Sequence, residues 1–285
     1  MREFVLATRG SALALRQAEI VKNALLENGA KVIISTVSTK GDKDRKTPLS
    51  VIGGSGLFVR EIEKELCEKR ADIAVHSAKD LPYRLKDGLE IAATPKAASF
   101  NDCLITRKGE TLKENCVIGT GSARRISEAE KLFPKALFSN IRGNVDTRLK
   151  KLLFGEYDAI ILAKAGLDRL GADLSCFDVK IFEKDEFIPA ACQGIIACEC
   201  RSDDEEAKAV LSKVSDCGTM KRFSAERYML SLLQADCSCA MGVHCSVDGE
   251  QTEICAMFKG KKAKEQGLYS DYENLCRKIK DEIYE

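Results

Sequence analysis

Phe4-Val5-Leu6-Ala7-Thr8-Arg9-Gly10-Ser11 is the stretch from which the fold can be read. Phe4 to Ala7 make a short apolar strand, and Thr8 to Ser11 form the turn that leaves it. The Ser11 hydroxyl can cap a helix through Glu27, which Asn28-Gly29 ends as a C-cap. Lys31 to Ser38 is rich in β-branched residues and reads as a second strand. After a flexible loop, Gly53-Gly54-Ser55-Gly56, come an amphipathic helix near Leu57 to Lys69 and a buried strand, Ala71-Asp72-Ile73-Ala74-Val75. Strand, helix, strand, helix in this order predicts an α/β unit, with a mostly parallel sheet and helices on its faces.

The pattern restarts downstream without a close sequence repeat. Cys116 to Gly119 is a strand leading through Thr120-Gly121-Ser122 into a helix from Ala123 to Leu132. Phe138 to Ile141 is strand-like, Arg142-Gly143-Asn144 opens a helix to Leu153, and Tyr157 to Ala163 is another buried strand. Two hinges are expected, near Thr94-Pro95-Lys96 and around Ile188-Pro189-Ala190, the latter before an apolar strand Gly194 to Cys200 and a helix Asp203 to Val214. The expected division is residues 1–95 with 195–214, residues 99–189, and a small α+β unit over 217–285. That last unit holds a helix from Lys221 to Gln234, a cysteine-rich loop, strands at Val243 to Val247 and Glu253 to Phe258, and a closing helix. A chain crossing twice between two α/β lobes leaves a cleft where ligands bind.

Composition narrows the functional class. With 285 residues, 45% hydrophobic and 31% charged, the chain is an ordinary globular protein large enough for several cores. A net charge of +1 argues against bulk attraction to nucleic acid or an anionic membrane, so any basic site must be local. No apolar run approaches the roughly 20 residues of a membrane span, and Met1 to Leu6 lacks the features of a secretory signal. A cytoplasmic location is the expectation. The 13 cysteines then read mainly as small buried hydrophobes. No metal site is expected, although Cys237-Ser238-Cys239 with His244 and Cys245 is the one grouping with ligand chemistry. His76 alone reads as a satisfied structural histidine.

Loops after strands are where α/β sheets place ligand groups. These loops carry Arg9 and Ser11, then Lys79 and Asp80, then Ser122, Arg124 and Arg125, then Arg142, Gly143 and Arg148. Arginine grips carboxylates two-pronged, and helix N-termini add N–H donors, so the set points to a ligand with several carboxylates. Asp80, among basic residues after a buried strand, should stay ionised and face the cleft; a salt bridge with Lys79 or a turn-capping role is the plainer alternative. Cys237 and Cys239 lie in a polar loop that could expose a nucleophilic thiol, and loop chemistry does not rank one above the other.

Ala7 to Ala14, Ala71 to Pro82 and Arg142 to Arg148 together resemble hydroxymethylbilane synthase, also called porphobilinogen deaminase. Gly155 to Ala163, Ala165 to Gly171, Gln193-Gly194 and Ala225-Glu226-Arg227 continue the resemblance through nearly the whole chain. The resemblance implies two lobes like type II periplasmic binding proteins plus a third domain. It implies a monomer that joins four porphobilinogen molecules head to tail, with loss of ammonia, into hydroxymethylbilane. Growth takes place on a dipyrromethane cofactor attached through a thioether, and Cys237 occupies the attachment position. Asp80 matches the catalytic aspartate, which contacts pyrrole nitrogens. Lys79, Asp80, Ser122, Arg124, Arg125, Arg142 and Gly143 match cofactor-binding positions. Arg9, Ser11, Arg142, Arg148, Arg169 and Gln193 match substrate-binding ones.

This chain departs from the family pattern in places. Ser55 stands where many members have lysine, Asn101 where a basic residue commonly precedes Asp102, and Gly121-Ser122-Ala123 where Ser-Ser-Leu is usual. The third domain is also short. These changes bear on affinity and rate more than on reaction type. Two other readings are a non-catalytic two-lobed binder of an acidic small molecule, which needs no cysteine arm, and an inactive relative.

Overall fold

The computed structural model describes residues 2–38, 59–234 and 239–285. β1 (Glu3–Arg9) leads to Ser11, whose hydroxyl accepts from the Ala14 amide and caps α1 (Ala12–Glu27). Gln17, Ala18, Val21 and Leu25 form the buried stripe of that helix, at the three- and four-residue spacing of one helical face. β2 (Lys31–Val37), α2 (Arg60–Cys67), β3 (Ile73–Ser77) and β4 (Leu89–Ala93) follow. The chain then crosses to β5 (Asp102–Arg107), β6 (Val117–Gly119), α3 (Ala123–Leu132), β7 (Leu137–Ser139), α4 (Val145–Leu153), β8 (Ala159–Ala163), α5 (Lys164–Leu170) and β9 (Phe177–Ile181). It returns through residues 188–195 to β10 (Ile196–Arg201) and α6 (Glu205–Ser212). A final unit contains α7 (Cys217–Leu233), β11 (Met241–Asp248), β12 (Gln251–Phe258), β13 (Lys261–Leu268) and α8 (Tyr272–Tyr284).

Two five-stranded sheets result, ordered β2-β1-β3-β10-β4 and β7-β6-β8-β5-β9. In each, four strands run one way and the fourth in order runs against its neighbours: β10 between β3 and β4, β5 between β8 and β9. That antiparallel strand is, in both sheets, the first one reached after the chain crosses over. The α/β expectation therefore holds for both lobes, with an antiparallel insertion that the βαβα pattern did not reveal. The small α+β unit is also present: an antiparallel β11-β12-β13 sheet whose Val243, Ile254 and Ala256 pack on Met229 of α7 and Ile279 of α8.

The differences from expectation have local causes. β4, β5 and β9 were unassigned because short strands of mixed polarity carry little periodic signal. β13 was hidden by its charge, since Lys261, Lys262, Lys264 and Glu265 line an edge strand where water solvates alternate residues. α7 begins a turn earlier than read because Asp216 caps it, accepting from the Thr219 amide at 2.7 Å. Of the helix read over Leu57 to Lys69, Arg60–Cys67 is helical, while Leu57 and the glycine loop with Ser55 lie outside the described residues. Twelve cysteines are described, all free, and eight of them are buried, in keeping with small core residues.

Candidate functional site

The site gathers where the strand ends of both sheets meet the two crossing segments. β3 buries Ile73, Ala74 and Val75 and ends in a single 3-10 turn, Ala78–Asp80. Leu81 is held extended (φ −69°, ψ 138°) because Pro82 follows it, so the turn cannot lengthen into a helix. The Ala78 amide donates to the Ile195 carbonyl at 3.0 Å, which ties the turn to the returning crossover. Lys79 Nζ donates to Gln193 Oε1 at 3.3 Å, and Gln193 Nε2 donates to the Phe100 carbonyl at 2.7 Å on the outgoing crossover. The fully buried Gln193 thus joins Lys79 to both crossings. No hydrogen bond or ion pair links Asp80 to Lys79, the plainer role considered for it.

The crossings themselves are pressed together at Gly194. Its φ is +86°, and a Cβ there would lie 2.5 Å from the carbonyl oxygens of Ala98 and Ser99. The Gly194 carbonyl accepts from the Ala98 amide at 3.0 Å and from Arg169 Nη2 at 2.6 Å. Burial pushes the Arg169 guanidinium down to about 10. Asn101 is also used structurally: its Nδ2 donates to the Phe182 carbonyl at 2.8 Å and its Oδ1 accepts from Ser99 Oγ at 2.8 Å.

The second lobe contributes the arginines. Ser122 caps α3 by accepting from the Arg125 amide at 3.4 Å, which places Arg124 and Arg125 in the first turn. Cations there oppose the helix dipole, so a nearby anion must hold them. That anion is Asp102, fully buried at the start of β5. Its Oδ1 accepts from Arg125 Nε at 3.0 Å and lies 2.8 Å from Arg125 Nη2, and its Oδ2 lies 2.8 Å from Arg124 Nη2, off the hydrogen-bond direction. Burial pushes the Asp102 carboxyl up, but Arg124 and Arg125 outweigh it and hold it below the ordinary carboxylate value.

Asn144 caps α4, accepting from the Thr147 amide at 2.9 Å. Gly143 before it has φ +115°, and a Cβ there would meet Thr147 Cγ2 at 2.7 Å. Arg148 Nε donates to the Gly143 carbonyl at 2.8 Å. Burial, then Arg125 and Arg142, push Arg148 down to about 10. Lys79 is pushed down to about 8, by burial first and by Arg125 second, with Asp80 and Asp102 opposing. Lys79 thus feels Arg124, Arg125, Asp80 and Asp102, and Arg148 feels Arg125 and Arg142.

Gln193 reaches Lys79 from the returning crossover, and Arg169 meets the same crossover at the Gly194 carbonyl. Arg9 and Ser11 stand on the first-lobe side, where α1 packs on α5 and Leu13 lies against Gly166. The Ser11 hydroxyl accepts the cap hydrogen bond and keeps its proton to donate. Cys237 lies outside the described residues, between the end of α7 and the start of β11. β11 abuts the site's wall, its Val243 amide donating to the Pro189 carbonyl at 2.9 Å.

Sequence reasoning used Asp102 only as a landmark and gave no role to the buried Glu226. Glu226 accepts from Arg222 Nε at 2.7 Å, from the Cys245 amide at 3.0 Å and from the Cys192 amide, and so joins α7, β11 and the returning crossover. His244 lies 3.4 Å from Glu226 and meets the Phe100 ring at a tilt of 32°, with ring centroids 3.9 Å apart. At Asp102 the apolar run Cys103-Leu104-Ile105 that follows was the available signal, whereas Glu226, between Ala225 and Arg227, carried none. His76 is the structural histidine expected, 3.1 Å from buried Glu199.

Comparison with known proteins gives a consistent result. The family described as porphobilinogen deaminase, dipyromethane cofactor binding domain, matches residues 4–209. A porphobilinogen deaminase of Exiguobacterium sibiricum is 40% identical over 265 residues, covering 91% of this chain and 86% of that protein. One of Syntrophobacter fumaroxidans is 42% identical over 303 aligned positions, covering 98% of this chain and 97% of the relative. Among solved structures, the second substrate binding domain of a putative amino acid ABC transporter from Streptococcus pneumoniae aligns with a TM-score of 0.46 and 10% identity, over 82% of this chain and 95% of that one.

Proposed function

The chain belongs to the porphobilinogen deaminase family, and from that premise we propose that it joins four porphobilinogen molecules head to tail, releasing ammonia, into hydroxymethylbilane for tetrapyrrole synthesis. The observation that carries the reading is the cationic set of buried Arg124 and Arg125 with half-buried Lys79, Arg142 and Arg148, beside one half-buried carboxylate, Asp80. Each pyrrole unit brings two carboxylates, and this group has more positive charge than Asp80 and Asp102 offset.

The same donors fit a dipyrromethane cofactor: Lys79, Ser122, Arg124, Arg125, Arg142 and Gly143 would hold its acetate and propionate arms, with Cys237 as the thioether attachment. Bound there, the cofactor supplies the pyrrole end from which the chain is extended. Arg9, Ser11, Arg142, Arg148, Arg169 and Gln193 orient the incoming substrate. Asp80 accepts hydrogen bonds from pyrrole N–H groups and offsets the positive charge that develops as ammonia leaves; a fixed carboxylate stabilises such charge without reorganising. Crowding of Lys79 and the arginines makes them strong carboxylate binders, because an incoming anion relieves their mutual repulsion.

Residues 1–95 with 195–214, 99–189 and 217–285 act as the three domains, and the protein works as a monomer in the cytoplasm. Among the described residues no helix is long and apolar enough to cross a membrane. The deciding experiment is intact mass with peptide mapping. We expect an excess of two deaminated porphobilinogen units on the Cys237 peptide, lost in Cys237→Ser and kept in Cys239→Ser. An unmodified chain after incubation with porphobilinogen favours a non-catalytic binder, and an adduct lost only in Cys239→Ser moves the attachment.

A further inference from the structure

Asp102 heads β5 and is wholly buried, while the arginines it faces, Arg124 and Arg125, are 3% and 8% exposed. Each guanidinium is held at two points. Arg125 grips Asp102 through Nε and Nη2 and sends Nη1 to the Ile161 carbonyl at 2.9 Å. Arg124 pairs with Asp102 through Nη2 and sends Nη1 to the Ile188 carbonyl at 2.9 Å. A guanidinium has five N–H donors, so both keep donors unspent after these contacts. One carboxylate against two guanidiniums and the Lys79 ammonium leaves a local excess of positive charge.

We propose that Asp102 is a positioning residue for the reaction: it fixes the two guanidiniums so that their unspent donors face the ligand's carboxylates. This rests on the site reading above and deepens it. A merely structural ion pair would hold the fold and leave the ligand-facing chemistry alone. A positioning carboxylate does both, because two-pronged arginine recognition depends on the angle of the fork as well as on charge. Asp102 also raises the Lys79 pKa against burial and Arg125, so its removal must change when Lys79 is charged.

The test uses the holoenzyme with porphobilinogen and the variants Asp102→Asn and Asp102→Glu, each first shown to be folded by thermal melting. In Asp102→Asn we expect KM to rise about tenfold or more, the loss for a misaligned charge-assisted contact, with kcat changed less. The alkaline limb of kcat/KM should move to lower pH. Asp102→Glu keeps the charge and should recover the pH limb while its KM stays raised by the shifted fork.

A folded Asp102→Asn with parental KM and parental pH profile overturns the proposal. Should Asp102→Asn not fold, Asp102→Glu decides by KM alone: raised supports the proposal and parental overturns it. The underlying reading is judged separately on the unsubstituted protein. If that protein carries the two-unit adduct and turns over porphobilinogen while Asp102 variants behave as parent, only the positioning role fails. If it does neither, the site reading fails and takes this role with it.

Discussion

The two lobes share a strand order but treat the carboxylate on their antiparallel strand differently. In the first, Glu199 on β10 faces His76 on β3, a partner that can be neutral, and the pair is closed off inside the sheet. In the second, Asp102 on β5 faces Arg124 and Arg125, which cannot lose their charge, so one carboxylate stands against two cations. The backbone plan is common, and the difference lies in what one buried acid is paired with. A paired acid that balances its partner makes a scaffold; one that only half balances two arginines makes an anion site. On the proposed function, the first lobe then supplies Asp80 and the second most of the cationic residues.

The largest expected effect lies at the first lobe's strand end. Asp80→Asn should fold normally and lose about 10²-fold to 10³-fold in kcat, the usual cost of removing a preorganised charge from a reacting centre. Steady-state turnover of porphobilinogen within tenfold of parent would show that the division of labour between lobes is wrong.

A paired substitution probes the comparison directly. Arg125→Leu leaves Asp102 with one partner and should cost about 2–4 kcal/mol in denaturant unfolding, with loss of the bound cofactor by mass. Glu199→Gln keeps a hydrogen-bond acceptor for His76 and should cost only about 1 kcal/mol, with KM unchanged. Equal costs, or a raised KM in Glu199→Gln, would erase the distinction between scaffold acid and site acid.

The smallest effect concerns Lys79 in the Cys237→Ser background, where no covalent cofactor relieves it. Its folded pKa, about 8, lies below the ordinary lysine value of 10.5, so folding expels a proton between those pH values. Charged Lys79 therefore destabilises the fold fully below pH 8, and the penalty fades as pH rises toward 10.5. Lys79→Met should be more stable at pH 7 by about 1–3 kcal/mol, the advantage shrinking over that window. Melting curves of the two proteins from pH 7 to pH 10.5 give this difference. A constant gap would mean that neither burial nor its cationic neighbours shift Lys79.

Much of the architecture was legible in local chemistry. The Ser11 cap, the α3 bounds Ala123–Leu132 and the Asn144 cap follow from hydroxyl and amide side chains next to periodic apolar residues. β13 was not legible, because an edge strand with alternate solvated charges has the composition of a loop. The candidate site was legible as a list of arginines after strands, and the family resemblance offered roles for Asp80 and for Cys237, which lies outside the described residues. Its organisation was not: Arg124 and Arg125 read as donors for a ligand, whereas the polar contacts of their guanidiniums go to Asp102 and to main-chain carbonyls.

By itself, then, the sequence determined most of the helices and parallel strands, the two-lobed α/β plan and a set of residue types suited to a polycarboxylate, because capping, periodicity and the arginine fork act within a few residues. Only the tertiary structure decided which charges share one low-dielectric space. The antiparallel insertion of β5 and β10 brings Asp102 to Arg124 and Arg125, and Glu199 to His76, across sequence separations of about 20 and 120 residues. Coulomb interactions at about 3 Å depend on that meeting and on the exclusion of water around it, and neither is written in any local pattern.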